Sequence, residues 1–159
     1  MKMITFIGDY PCKADSKGRI LLPAAFKKQM GQDVQDRFVI KKDIFEKCLD
    51  LYPWNEWERQ VKILRSRINP YNREHNNFLR EFFKGTAEIQ LDNNNRMLIP
   101  KRLLDWAEVK SGEVMLAGQD GRIQIWDKTR YESGGIDEGD FAKLAEKILG
   151  NIGLSEEEQ

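Results

Sequence analysis

One histidine, two cysteines and no excess of either charge leave most of the usual chemical signatures out of this 159-residue chain. Cys12 and Cys48 have no metal-ligand spacing and make no disulfide framework, which fits a reducing compartment. His75 sits in the polar stretch Arg73, Glu74, Asn76 and Asn77, where a lone histidine is far more often a solvated helix residue than a catalyst. No glycine loop cradles a phosphate, no acid cluster has metal-site spacing, and neither cysteine has a histidine near it in sequence. An enzyme is not expected, and neither is a metal, a cofactor or a small-molecule substrate.

Long apolar runs are missing as well. Met1–Gly8 is too short for a signal segment and meets Asp9 at once, and no run approaches membrane-spanning length. The reading is a cytosolic protein without a membrane partner. Since 26 Lys and Arg balance 26 Asp and Glu, composition alone gives no reason to think of nucleic acid. The balance hides an asymmetry. Residues 1–30 hold Lys2, Lys13, Lys17, Arg19, Lys27 and Lys28 against Asp9 and Asp15. Residues 132–159 hold Glu132, Asp137, Glu138, Asp140, Glu146 and Glu156–Glu158 against Lys143 and Lys147. An acidic tail conceals a basic body.

What the chain does have is one phrase written twice. Asp15-Ser-Lys-Gly-Arg19-Ile-Leu-Leu-Pro23 returns as Asp92-Asn-Asn-Asn-Arg96-Met-Leu-Ile-Pro100, with Asp, Arg, three apolar residues and Pro in the same register. A second stretch, Leu49–Glu58, is echoed by Ile123–Glu132. The offset falls from 77 (92 minus 15) to 74 (123 minus 49), so three residues have gone, most naturally from the Met30–Arg37 loop. The chain is a duplication.

Each copy reads as a polar turn, a short strand and a helix opened by Pro. In the first, Met3–Ile7 reads as a strand, Gly8–Pro11 as a polar connection, Arg19–Leu22 as a strand, and Pro23–Met30 as a helix ended by Gly31. Strands Phe38–Ile40 and Cys48–Tyr52 follow, the latter alternating and so half buried. Between the copies, Trp54, Trp57, Val61, Leu64 and Ile68 recur at helical spacing, Asn69-Pro70 interrupts, and Tyr71–Phe83 resumes as a helix before Gly85. The second copy replays strand Ala87–Leu91, turn Asp92–Asn95, strand Arg96–Ile99 and helix Lys101–Trp106, then strands Glu113–Ala117 and Arg122–Trp126 around a turn at Gln119-Asp120-Gly121. Phe141–Leu149 is one more amphipathic segment before a mobile acidic end. The expectation is an α+β protein: repeat units 1–53 and 86–132, a helical connector 54–85 and a tail 133–159.

The repeated turn has its own chemistry. Gly18, and Asn95 in its place, are the residue types that most easily take positive φ. Across such a turn Asp15 can hold backbone amides and orient Arg19, and Asp92 can do the same for Arg96. An Asp–Arg pair at a hairpin can equally be a turn staple and nothing more. Lys13 and Lys17 beside Arg19 add charge that wants an anion, whereas the second turn has only Arg96, with Lys101 and Arg102 following on its helix. The first copy reads as the stronger anion binder.

The doubled Asp-x-x-x-Arg phrase resembles the signature of the MraZ family. So do Cys48–Glu58, Asn69-Pro70 and Glu113–Gln119, and the resemblance covers about Met3 to Glu132. It implies AbrB-like swapped-hairpin β-barrel units and ring-shaped homo-oligomers. It also implies a nucleoid-associated regulator, read here as a repressor, that binds short direct repeats of double-stranded DNA upstream of the division and cell-wall gene cluster, its own promoter included. Asp15, Arg19, Asp92 and Arg96 match the family motif, from which Asn95 in place of Gly is a departure. On that reading Lys13, Lys17, Lys27 and Lys28 contact phosphates while Arg19 reads a guanine edge. An alternative is a swapped-hairpin scaffold that binds proteins and reads no DNA, supported by the aromatics Trp54, Trp57, Phe78, Phe82, Phe83, Trp106 and Trp126.

Overall fold

In the computed structural model, which describes residues 3–31 and 36–150, the apolar stretches become eight strands and the helical-period stretches six helices. The first copy supplies β1 (Asp9–Lys13), β2 (Arg19–Leu21), α1 (Ala24–Met30), β3 (Arg37–Lys42) and β4 (Leu49–Pro53). Helices α2 (Trp54–Arg67) and α3 (Arg73–Phe83) follow. The second copy supplies β5 (Ala87–Gln90), β6 (Arg96–Leu98), α4 (Lys101–Trp106), β7 (Glu113–Gln119) and β8 (Arg122–Asp127). Then come α5 (Lys128–Ser133) and α6 (Glu138–Leu149). The fold class is α+β, as the sequence implied. The three-residue deletion and the acidic end Glu156–Glu158 concern stretches that lie partly or wholly outside the described residues.

The two copies do not pair within themselves alone. One six-stranded antiparallel sheet runs β1-β7-β8-β4-β3-β5, and a separate two-stranded ribbon joins β2 to β6. Exchanging β1 with β5, β3 with β7 and β4 with β8 turns the sheet order into its own reverse, so the duplication has become a pseudo-two-fold axis between β8 and β4. Each copy's first strand pairs with the other copy: Asp9–Lys13 run opposite Ala117–Glu113, and Arg37–Ile40 opposite Gln90–Ala87. This corrects the expectation of barrel units. Among the described residues no strand set closes on itself, because β1 and β5 remain as edges.

Two further expectations change. The first strand is Asp9–Lys13 rather than Met3–Ile7, of which only Phe6 makes a bridge, to Asp120. A polar segment containing Pro11 looks like a connection, yet an edge strand tolerates both features because one of its sides needs no ladder. Strand β4 is buried along its whole length, not half buried. It lies centrally in the sheet; Leu49 and Leu51 join the main core, while Tyr52 packs with Val39 and Trp57 of α2 in a second cluster.

The main core runs from the ribbon through the helices to the sheet. Ile20 and Met97, opposite each other at the ribbon's centre, are fully buried, as are Phe26 of α1 and Ile123 and Ile125 of β8. Leu103 of α4 is almost so. Burying side chains of this size stabilises by roughly 1.5–3 kcal/mol each, which fixes the ribbon in register. Helix α3 is tied to α2 by Phe82 stacked on Trp57 at 6.2 Å and Phe83 edge-on to it at 5.9 Å. His75, on α3, accepts from the Asn69 amide through Nδ1 at 2.8 Å and so braces the α2–α3 corner. Described residues up to Thr129 form one compact unit and those from Arg130 another, in which Asp137 caps α6 by accepting from the Asp140 amide at 2.8 Å. No helix among the described residues is long and apolar enough to cross a membrane.

Candidate nucleic-acid interface

The two repeated turns have the same wiring. Asp15 Oδ1 accepts from the amides of Lys17 and Arg19, both at 2.9 Å, while Asp15 Oδ2 takes the Nε–H of Arg19 at 2.6 Å. In the second copy Asp92 Oδ1 accepts from Asn94 and Arg96 at 2.8 and 2.9 Å, and Asp92 Oδ2 takes Arg96 Nε–H at 3.0 Å. The turn residues reach the expected left-handed region, Gly18 at φ 87° and Asn95 at φ 59°. Each carboxylate is held below the usual range, first by the backbone N–H of its arginine and then by the neighbouring amide and the guanidinium. Both aspartates stay charged well into acid.

The choice of nitrogen matters. Because Nε–H is spent on the aspartate, the η nitrogens of Arg19 and Arg96, which make no hydrogen bond among the described residues, keep a flat two-pronged donor edge for a ligand. Both side chains are about one-third exposed. The arginines are aimed and available.

The ribbon then joins the two turns. Arg19 stands opposite Leu98 and Arg96 opposite Leu21, with Ile20 and Met97 between them pointing into the core. Each turn also accepts from the other copy: Gly18 O from the Ile99 amide and Asn95 O from the Leu22 amide, both at 2.9 Å. The helices cross over too. Leu104 of α4 lies against the first turn, where a Cβ on Gly18 would come 3.5 Å from its Cδ1. At the equivalent place Lys27 of α1 reaches the second turn, its Nζ 3.1 Å from Asn95 Oδ1 and 2.7 Å from Asp36 Oδ1. The second turn lacks a base in its own sequence but receives one from the first copy.

The remaining sequence candidates separate into two groups. Lys13 at the end of β1, Lys17 in the first turn, Lys28 on α1 and Lys101 at the start of α4 are exposed and make no ion pair among the described residues. Lys27 and Arg102 are engaged, the latter donating to Gly85 O at 3.3 Å. Sequence reasoning missed Leu21 and Leu98, which are apolar and more than half exposed on the arginine face. The period-two alternation around buried Ile20 and Met97 was the available signal.

It also missed a buried polar group behind the sheet, where Asp43, Cys48 and Asp50 bring their ligand-type atoms within 4.8 Å of one another. Arg122 supplies positive charge there, 3.7 Å from Asp50 and 3.9 Å from Asp43, and Lys41 is buried alongside. Burial, and then the neighbouring Asp43 and Asp50, push the Cys48 thiol far up, so it stays protonated beside them. The cluster reads as an internal ion network.

Comparison with known proteins gives the same doubled pattern. The family description "MraZ protein, putative antitoxin-like" matches residues 5–81 and again residues 82–147. A transcriptional regulator MraZ from Christiangramia forsetii is 42% identical over 150 residues, covering 94% of this chain and 96% of that protein. One from Flavobacterium psychrophilum is 41% identical over 152 residues, 94% and 95% of the two chains. The protein of that name from Bacteroides thetaiotaomicron is 37% identical over 147 residues, 92% and 94% of the two. Two family matches, one for each copy of the Asp–Arg turn, together with relatives aligned nearly end to end, place the chain in the MraZ family.

Proposed function

We propose that the protein is a transcriptional regulator that binds double-stranded DNA in a sequence-specific manner through the ribbon and its two Asp–Arg turns. The observation that carries this is the pair of guanidiniums clamped through Nε with their η edges left for a ligand. A two-stranded ribbon fits the major groove, and an arginine presenting two donors matches the O6 and N7 acceptors of guanine. Lys13, Lys17, Lys28 and Lys101 supply phosphate contacts that carry affinity without sequence information. Relatives named transcriptional regulators support the role, and that family is not one of enzymes.

The finer reading follows the family resemblance. The repeats, residues 1–53 and 86–132, are two AbrB-like halves whose hairpins interleave, with 54–85 as connector and 133–159 as tail. The protein acts as a repressor on short direct repeats upstream of the division and cell-wall genes and its own promoter, in the cytoplasm and on the nucleoid. A near-neutral protomer needs several sites engaged at once, which a ring of copies provides through effective concentration.

The test is a gel-shift titration on the protein's own promoter region at 50 and 200 mM salt. A specific band whose affinity falls steeply with salt is expected. Its absence at both concentrations would reject DNA reading and leave the scaffold alternative.

A further inference from the structure

Leu21 and Leu98 are the unexplained part of the ribbon. They occupy the same position in both copies, 57% and 56% exposed, while the residues on either side, Ile20 with Leu22 and Met97 with Ile99, are buried. Each stands across the ribbon from the other copy's arginine. Side chains so paired have Cβ atoms about 5 Å apart, so the exposed face alternates guanidinium and isobutyl group in a two-fold pattern.

We propose that Leu21 and Leu98 are specificity-determining residues, each packing on the 5-methyl group of a thymine in the major groove beside the base taken by the opposite arginine. The inference rests on the DNA-reading function above and adds a second base to each half of the site. Among base edges in the major groove the thymine methyl is the apolar feature, and the minor groove presents none. Arg19 and Arg96 are offset by two residues along the strands, about 7 Å, or roughly two base-pair steps of about 3.4 Å each. Leucines between them fall within reach of adjacent pairs. The charge on this face selects DNA as the occupant. Asp15 and Asp92 offset the two guanidiniums, and exposed Lys17 leaves the face with an excess of positive charge that a second copy would repeat and a phosphate backbone would answer.

The experiment starts by selecting a preferred duplex from a random library with the full-length protein. Each thymine of that duplex is then replaced in turn by deoxyuridine, which removes only the methyl. Wild-type affinity should fall about threefold to fivefold at one or more positions. Leu21→Ser or Leu98→Ser should bind less tightly and become indifferent to uracil at one of those positions, while Leu21→Met and Leu98→Met keep the sensitivity. If the wild type selects a sequence yet ignores every uracil, the leucine inference fails and DNA reading stands. Uracil sensitivity unchanged in both serine variants overturns it as well, and so does a serine variant whose only defect is a smaller oligomer by sedimentation. If no sequence is enriched, DNA reading itself fails. The uracil series on the wild type requires no variant to fold.

Discussion

The amide of Ile99 donates to the carbonyl of Gly18 at 2.9 Å, and a Cβ placed on Gly18 would lie 2.7 Å from the oxygen of Ile99 itself. The first turn is therefore closed onto the second copy's strand so tightly that only hydrogen fits. Gly18→Ala combines that clash with a left-handed backbone at φ 87°, and should lower unfolding free energy by about 2 kcal/mol or more. Asn95→Gly, at the matching position where a side chain is already accommodated, should change it by less than about 1 kcal/mol. Urea denaturation of both variants checks the pair. Equal effects would show that the close approach is not what constrains Gly18.

Arg19 and Arg96 should be separable by binding. Loss of a bidentate base contact costs about 1–3 kcal/mol of discrimination, so Arg19→Ala should reduce specific affinity by about tenfold or more with the oligomer unchanged. Arg96→Ala should do less, because the first turn alone is flanked by exposed Lys13 and Lys17. Arg19→Lys is the sharper variant: an ammonium cannot hold Asp15 through Nε and still offer a flat edge. It should keep salt-dependent binding while losing sequence preference. A lysine variant that retains preference would show that the clamp does not set the reading.

How much of this was legible depends on what kind of contact each feature uses. The Asp15–Arg19 and Asp92–Arg96 turns were readable because every bond that the two aspartates make in them spans four residues or fewer, and the sequence carries such local geometry on its face. Helix α4 appeared with the residues expected for the same reason. The pairing of β1 with β7 was not readable, since Asp9–Lys13 is polar, contains Pro11 and finds its partner a hundred or more residues away. Nor was the reach of Lys27 to Asn95, which depends on α1 of one copy lying over the turn of the other. The duplication announced two halves and favoured an exchange between them; it could not say which strand of one half would pair with which strand of the other.

Lys27 gives a prediction of its own. Removing its ammonium leaves Asn95 Oδ1 and Asp36 to water and cuts the only side-chain link from α1 to the second turn among the described residues. For a half-exposed pair the stability change should stay within about 1 kcal/mol. Hydrogen exchange should respond locally: in Lys27→Ala, the amides of Asn94–Arg96 should exchange faster while those of Lys17–Arg19 do not. A uniform change across both turns would mean that Lys27 supports the core and not that turn.

The buried cluster behind the sheet predicts how stability depends on pH. Burial, with a hydrogen bond to neighbouring Asp43, pushes the Asp50 carboxyl up to about 7. Asp43 goes the other way, held down despite burial by that same hydrogen bond and by the amides of Glu46 and Phe45. In an unfolded chain Asp50 titrates near the ordinary value of 3.8, so between that value and 7 the folded protein binds a proton that the unfolded chain has lost. Its contribution to stability is complete below the unfolded value and disappears as pH rises through 7. Lys41, lowered by burial, contributes a slope of the opposite sign, so the wild-type profile alone does not isolate the carboxyl. Asp50→Asn does, because the amide keeps the shape of the protonated acid and never ionises. Relative to wild type, this variant should gain stability from pH 5.5 up to about pH 7 and then level off by pH 8.5, in urea or thermal unfolding. Parallel profiles would mean that Asp50 carries the same charge in the folded and unfolded states across that range, and the pair would then not share a proton.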